Sequence, residues 1–299
     1  GKWGLSDDEL LKLHPGLLIV HMPIVGLTGP RRNWLSFGGP LQGAAGLTYL
    51  CGTPDRAPIG VGGAYPDFST SMAHGQIATV VALLNRLRTG KGQVVEVSQL
   101  EGAVHLTGTA VLEYSANKRI QERTGNRSAY AAPHGAYRCK GDDRWCALAI
   151  FGDEEWRTFC RVMGKPGLGD DERFSTLARR KENEDELDRI VEEWTTDRTA
   201  EEVMWLMQQA GVGAGVVQNA EDQLVRDPQL RSREYFAYLN HAELGRSAYD
   251  GMPYKLSATP WVMRKAAPLF GEHTTYVAEE LLGMPVDEVS QCYSDGILE

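Results

Sequence analysis

The chain has 299 residues, with 31 Lys and Arg against 40 Asp and Glu, a formal net charge of −9. Apolar residues make up 42% and charged residues 24%, ordinary values for a globular chain and too apolar for a disordered one. At roughly 150 residues per domain the length gives two domains or one large one, and the acidic balance argues against sequence-independent nucleic-acid binding, which needs a basic face.

No stretch approaches the ~18 uninterrupted apolar residues of a membrane-spanning helix; the best, residues 16–25, is broken by His21 and Pro23. No cationic segment leads into an apolar one at the start, so the chain reads as cytoplasmic. Cys51, Cys139, Cys146, Cys160 and Cys292 are odd in number and far apart. They show neither disulfide nor metal spacing and read as reduced thiols, with no metal expected.

In chain order, Ser6-Asp7-Asp8-Glu9 before Leu10, Leu11 and Leu13 is a capping-box signature and predicts a helix that Pro15-Gly16 stops. Residues 17–20, Leu-Leu-Ile-Val, read as a strand buried on both faces of a parallel sheet. Gly and Pro are dense over 26–66, which predicts turns around one helix near 41–49. A helix is expected over 69–87, where Ile77, Val80, Val81, Leu84 and Leu87 share a face. A turn at 89–92, a strand at 94–97 and a helix over 98–116 follow.

Residues 121–135 are polar and without period, a loop. Alternation over 136–139 and 145–150 around Lys140-Gly141-Asp142-Asp143 predicts an antiparallel hairpin. Charged amphipathic helices are expected at 153–163, 172–195 and 200–210, a strand at 212–217, and two final helices at 274–282 and 286–293. The alternation indicates an α/β fold with a smaller α+β domain. The expected division is a large discontinuous domain of 1–115 and 250–299, a linker at 116–136, a small domain at 137–235 and a second linker at 236–249.

Phosphate-loop, zinc-protease and nucleophile-elbow motifs are lacking, and no histidine pair has ligand spacing. Gly60-Val61-Gly62-Gly63 reads equally as a tight turn or as backbone approaching a ligand, and His105 as an ordinary helix side chain. Asp67 sits between this glycine- and proline-rich approach and a strongly periodic helix. A carboxylate is ionised at neutral pH and needs no base to act as a nucleophile. The alternative is a simple N-cap aspartate, with Ser69 or Thr70 as rival caps.

Tyr65-Pro66-Asp67-Phe68, a helix of about five turns, then Arg88-Thr89-Gly90-Lys91-Gly92-Gln93-Val94-Val95-Glu96-Val97-Ser98-Gln99-Leu100-Glu101 resembles the family III CoA-transferases. Gly125-Asn126-Arg127-Ser128, Ala132-Pro133-His134-Gly135 and Pro268-Leu269-Phe270-Gly271-Glu272-His273-Thr274 fit the same pattern. The resemblance implies a Rossmann-like large domain with an open, mostly parallel sheet, and an interlocked homodimer or a heteromer. It implies Asp67 as the catalytic nucleophile, coenzyme A thioester as substrate rather than tightly bound cofactor, and a carboxylic acid as acceptor.

Lys2 aligns with a CoA-contacting basic position, with Trp3 beside it. Arg127, in a candidate lid at 125–135, is a candidate for pairing with a substrate carboxylate. Family members usually carry roughly 95 further residues ahead of the Lys2 position, a strand–helix unit of the Rossmann-like half. An α-methylacyl-CoA racemase of the same fold needs a histidine where Phe37 stands, and no histidine occurs from 22 to 73. A non-catalytic CoA-binding subunit of a hetero-oligomer is the remaining reading.

Overall fold

Two parallel strands joined by a long helical crossover open the fold, as seen in a computed structural model that describes residues 3–298. The chain falls into two units, Gly1–Gly215 and Val216–Glu299.

The first unit begins with α1 (Asp7–Leu13), closed by the expected capping box: Ser6 Oγ accepts the Glu9 N–H at 3.4 Å and the Glu9 carboxylate accepts the Ser6 N–H at 3.2 Å. Strand β1 (Leu18–His21) pairs in parallel with β2 (Gln93–Glu96), Leu18 opposite Gln93 and His21 opposite Glu96. Gly92 leads into β2 against the backbone of Leu17, where any Cβ would collide, and its N–H donates to the Pro15 carbonyl at 2.7 Å. This fixes the register of the pair.

The crossover carries α2 (Gly38–Ala44), α3 (Leu47–Leu50) and α4 (Met72–Thr89), with a π-helical turn at Asp67–Ser71 leading directly into α4. The single helix expected near 41–49 is split at Gly46, whose φ of +84° is left-handed. β1 is not buried on both faces: its sheet has only two strands, and Val20 is 39% exposed. The apolar stripe of α4 likewise does not face the strands. Ile77, Val80, Val81, Leu84 and Leu87 are each at least half exposed, and the buried positions are the small residues Gly75 and Ala82, with Gly75 against Met22.

Past β2, the helix expected over 98–116 is broken into α5 (Gln99–Val104) and α6 (Gly108–Asn117) by a 3-10 turn at His105–Thr107. Leu41, Ala45 and Ala103 form a small core there, with Ile24, Leu100 and Val104 packed against it.

Strands β3 (His134–Arg138) and β4 (Trp145–Ala149) form the expected antiparallel hairpin, and β5 (Gly213–Val216) completes a three-stranded sheet with β4 in the centre. Around it lie α7 (Asp153–Val162), α8 (Leu177–Glu182), α9 (Glu184–Thr196) and α10 (Ala200–Gln209). The helix expected over 172–195 is interrupted at Asn183, whose side chain donates to the carbonyls of Arg173 and Arg179 and so ends α8. The best-buried core lies here: Trp156, Phe159, Phe174, Leu187, Val191, Val203 and Met207 are fully enclosed. Trp156 stacks on Phe159 with ring centres 5.8 Å apart.

In the second unit, α11 (Pro228–Ser232) is capped by the Asp227 carboxylate, which accepts the N–H groups of Gln229 and Leu230 at 2.8 Å. Residues 236–250 form an antiparallel hairpin of β6 (Phe236–His241) and β7 (Gly245–Asp250), strands the sequence reading did not recognise. Its turn has no Asn-Gly or Asp-Gly pair; instead His241 Nδ1 accepts the N–H groups of Glu243 and Leu244, and Gly245 takes a positive φ. The tail helices are present as α12 (Thr274–Tyr276), continued by a π-helical turn to Leu281, and α13 (Val286–Ser294).

Candidate active site

The glycine-rich run 60–63 is held from beneath by one side chain. Gln42 on α2 is 1% exposed; its Oε1 accepts the Val61 N–H at 2.9 Å and its amide donates to the carbonyls of Gly62 and Gly63. A glutamine carries both donors and an acceptor, so it satisfies a loop that has no strand or helix to pair with. Gly62 has φ +99°, open to glycine at little cost.

Gly38 lies one helical turn before Gln42, on the same face of α2. A Cβ placed at 38 would collide with the Gly63 carbonyl, with Asp67 Oδ2 and with Ala64 Cα. The backbone of α2 therefore touches the carboxylate of Asp67 directly, which only a glycine permits.

Asp67 opens the π-helical turn Asp67–Ser71 and is partly buried. Its Oδ2 is enclosed and without a hydrogen-bond partner, as are Thr70 Oγ1 and Ser71 Oγ of the same turn. A simple N-cap role does not describe this residue, because its turn has no side-chain cap. The rival caps are not realised either: Ser69 Oγ donates backwards to the Tyr65 carbonyl at 2.7 Å. A buried carboxylate oxygen with no donor is costly to maintain, and an unpaired group of this kind marks a candidate catalytic position.

Arg127 lies elsewhere. It lines a cavity of about 680 Å³ with His134, Tyr137, Lys181, Glu184 and Asp188; Asp67 does not line it. Its guanidinium donates to Asp185 at 2.5 Å and Asp188 at 2.7 Å, with Glu184 at 3.7 Å. The hydrogen bond to Asp185 pushes the guanidinium well above its usual range and holds the Asp185 carboxyl below its own. Asp188 also accepts the Tyr137 hydroxyl at 2.7 Å, and burial followed by that negative charge raises the phenol.

The segment around Arg127 is tied down at several points. The Gly125 N–H donates to the Gly52 carbonyl at 2.8 Å, and Ala131 and Ala132 are fully buried. Ala132 N–H and Ile150 O, and Ile150 N–H and Pro133 O, are paired at 3.0 Å, extending the β3–β4 ladder. The expectation of a lid over 125–135 meets a segment whose end, from Ala132 on, is hydrogen-bonded into the β3–β4 ladder. Trp3 is 85% exposed, and Lys2 lies outside the described residues.

The sequence reading missed Gly38 and Gln42. Their signal was the four-residue spacing of a glycine and a buried amide ahead of a second glycine run, which has meaning only once the two segments are known to meet.

The sequence profile of CoA-transferase family III matches residues 1–274, a span holding the glycine run, Asp67 and Arg127. The chain belongs to this family. The succinyl-CoA–D-citramalate CoA-transferase of Chloroflexus aurantiacus is 31% identical over 297 residues, covering 99% of this chain and 73% of the relative. The beta subunit of succinyl-CoA–L-malate CoA-transferase from the same organism is 28% identical over 300 residues, with the same two coverages. Among solved structures, a CaiB/BaiF family protein from Brucella suis superposes with a TM-score of 0.82 at 26% identity, covering 94% of this chain and 72% of that one. This family III CoA-transferase thus has the mixed α/β fold with open sheets of its neighbours. Among the described residues no helix is long and apolar enough to cross a membrane, and no three metal-ligating side chains converge.

Proposed function

We propose that Asp67 is the nucleophile through which this family III CoA-transferase moves CoA from an acyl-CoA donor to a carboxylic acid acceptor. The observation that carries the reading is the enclosed, unpartnered Oδ2 of Asp67, against the backbone of Gly38. A desolvated carboxylate oxygen without a donor is a stronger nucleophile than a hydrated one.

The carboxylate attacks the donor thioester carbonyl, giving an aspartyl–acyl anhydride and CoA thiolate. The thiolate attacks the aspartyl carbonyl and releases the donor acid, leaving an aspartyl-CoA thioester. An acceptor carboxylate then attacks that thioester, and the freed thiolate takes the acceptor acyl group and regenerates Asp67. Each tetrahedral oxyanion needs N–H donors, which the start of a helix supplies, and the anhydride needs shielding from water.

Relatives named for succinyl-CoA with citramalate or malate support a dicarboxylyl thioester as donor and a small dicarboxylic acid as acceptor. A Rossmann-like large domain and an interlocked dimer or heteromer belong to the same proposal. The parallel β1–α4–β2 crossover supports the former, and relatives named as alpha and beta subunits keep the heteromer open. Lys2 and Trp3 are proposed on the CoA. A substrate role for Arg127 requires it to leave Asp185 and Asp188.

Incubation with succinyl-CoA and hydroxylamine tests the reading. Transfer activity is expected to be lost as a hydroxamate forms at Asp67, detected by peptide mass, while Asp67→Ala folds but neither transfers CoA nor forms the adduct. Undiminished transfer by Asp67→Ala overturns it.

A further inference from the structure

The turn that carries Asp67 is braced by two histidines that the mechanism above does not use. His74 Nδ1 lies 2.7 Å from the carbonyl of Thr70, and His74 Nε2 lies 3.2 Å from Nδ1 of His105. A carbonyl oxygen only accepts, so Nδ1 of His74 carries the hydrogen. In neutral His74, Nε2 then accepts from His105 Nδ1–H. The rings are 5.0 Å apart and tilted by 48°. The result is a directed chain from His105 to His74 to Thr70.

We propose that His74, with its ring oriented by His105, is a positioning residue for Asp67, fixing the π-helical turn that aims the carboxylate. The proposal rests on the reading of Asp67 as nucleophile. Thr70 and Asp67 belong to the same five-residue turn, Asp67–Ser71. A π turn holds one residue more than an α turn and is the weaker geometry, found mostly where function requires it. It persists where surrounding contacts over-determine it.

Those contacts converge here from another element. Helix α5 packs against the turn, and a Cβ at Gly102 would lie 3.5 Å from His74 Nδ1 and 3.7 Å from Thr70 Oγ1. The 3-10 turn that follows is anchored at both of its ends. His105 reaches His74, and Thr107 Oγ1 donates to the Ala45 carbonyl at 3.2 Å, on the C-terminal side of the helix that carries Gly38. The break between α5 and α6 thus joins the two segments that flank the carboxylate.

The test is steady-state kinetics with hydroxylamine trapping on the full chain, using succinyl-CoA as probe and circular dichroism to verify folding. His74→Leu is expected to lower kcat at least ~10-fold with KM for the thioester changed by less than about twofold, since misplacing a reacting group acts on the chemical step. The hydroxamate yield should fall in parallel. His74→Asn, which keeps an N–H near the Nδ1 position, should recover most of the loss, and His105→Ala should cost roughly threefold in kcat.

Unchanged kcat in folded His74→Leu, or equal impairment in His74→Leu and His74→Asn, overturns the proposal. If His74→Leu does not fold, His105→Ala at its exposed position decides, and unchanged kcat there overturns it as well. Asp67→Ala separates the two readings. If it transfers normally, the nucleophile assignment fails; if it is inactive while His74→Leu is not impaired, only the positioning role fails.

Discussion

Gly38 and Asp67 touch: the α-carbon of one leaves no room for a methyl group beside the carboxylate of the other, and a Cβ there would also lie 2.7 Å from Ala64 Cα. All the atoms it would strike belong to backbone or to the proposed nucleophile, so nothing nearby yields cheaply.

Gly38→Ala is therefore expected to displace Asp67 or the 63–64 backbone. A shift of about 1 Å at a reacting group costs on the order of 100-fold in kcat. Overpacking at such a site costs about 1–3 kcal/mol of stability. Kinetics and urea unfolding of the same variant measure the two, and full activity would mean that the close approach has no catalytic weight.

Gln42→Ala removes the partner of the Val61 N–H and of the Gly62 carbonyl. Val61 and Gly62 are exposed, so water replaces part of what is lost and each bond removed costs about 0.5–1.5 kcal/mol. The expected result is a lower midpoint in urea and a reduced kcat from a loosened glycine run. Gln42→Glu retains an acceptor for Val61 but turns a carboxylate on two carbonyls, and is expected to be no better than Gln42→Ala.

Arg180 is fully buried beneath the small sheet. It donates to the Ala132 carbonyl at 2.7 Å and the Phe174 carbonyl at 3.1 Å, and its NH1 lies 3.0 Å from Asp153. Burial lowers the guanidinium from its usual range, with Asp153 opposing that effect. Arg180→Leu leaves two carbonyls without their donor and removes the ion pair of Asp153, whose side chain is 41% exposed and rehydrates; the unpaired carbonyls set the expected loss, at about 1–3 kcal/mol each. Denaturant unfolding followed by tryptophan fluorescence reports it through the adjacent Trp156; a loss under 1 kcal/mol would contradict the described packing.

Three thiols are sealed in the same region. Burial pushes Cys139 up to about 11 and Cys146 and Cys160 up to about 12, from a usual 9.0. A thiol-specific reagent at pH 8 is expected to label the partly exposed Cys51 and Cys292 and to spare these three until the protein unfolds. The unfolded chain releases these protons at lower pH than the folded one. Their contribution to stability is thus complete below about pH 9 and is lost as pH rises toward 11–12. Alkaline unfolding monitored with and without alkylation of the unfolded thiols measures that window.

Much of this was legible in the residues themselves. Ser6 and Glu9 mark a helix start, Gly90 a helix end, and Lys140-Gly141-Asp142-Asp143 a hairpin turn, because caps and turns are satisfied by neighbours in sequence. The family could be read too, from separated motifs around Asp67 and after α4.

Tertiary contacts decided the rest. Local spacing marked the apolar stripe of α4 as core-facing, yet the buried positions of that helix are Gly75, against Met22, and Ala82. Arg127 reads as a free loop cation until α9 brings Asp185 and Asp188 to it. The fit of Gly38 against Asp67, the grip of Gln42 on the glycine run and the link from His105 to His74 each join residues at least 18 positions apart. Periodicity and capping are written in near neighbours; which loop closes over which carboxylate depends on the packing of whole helices, and no window of sequence contains it.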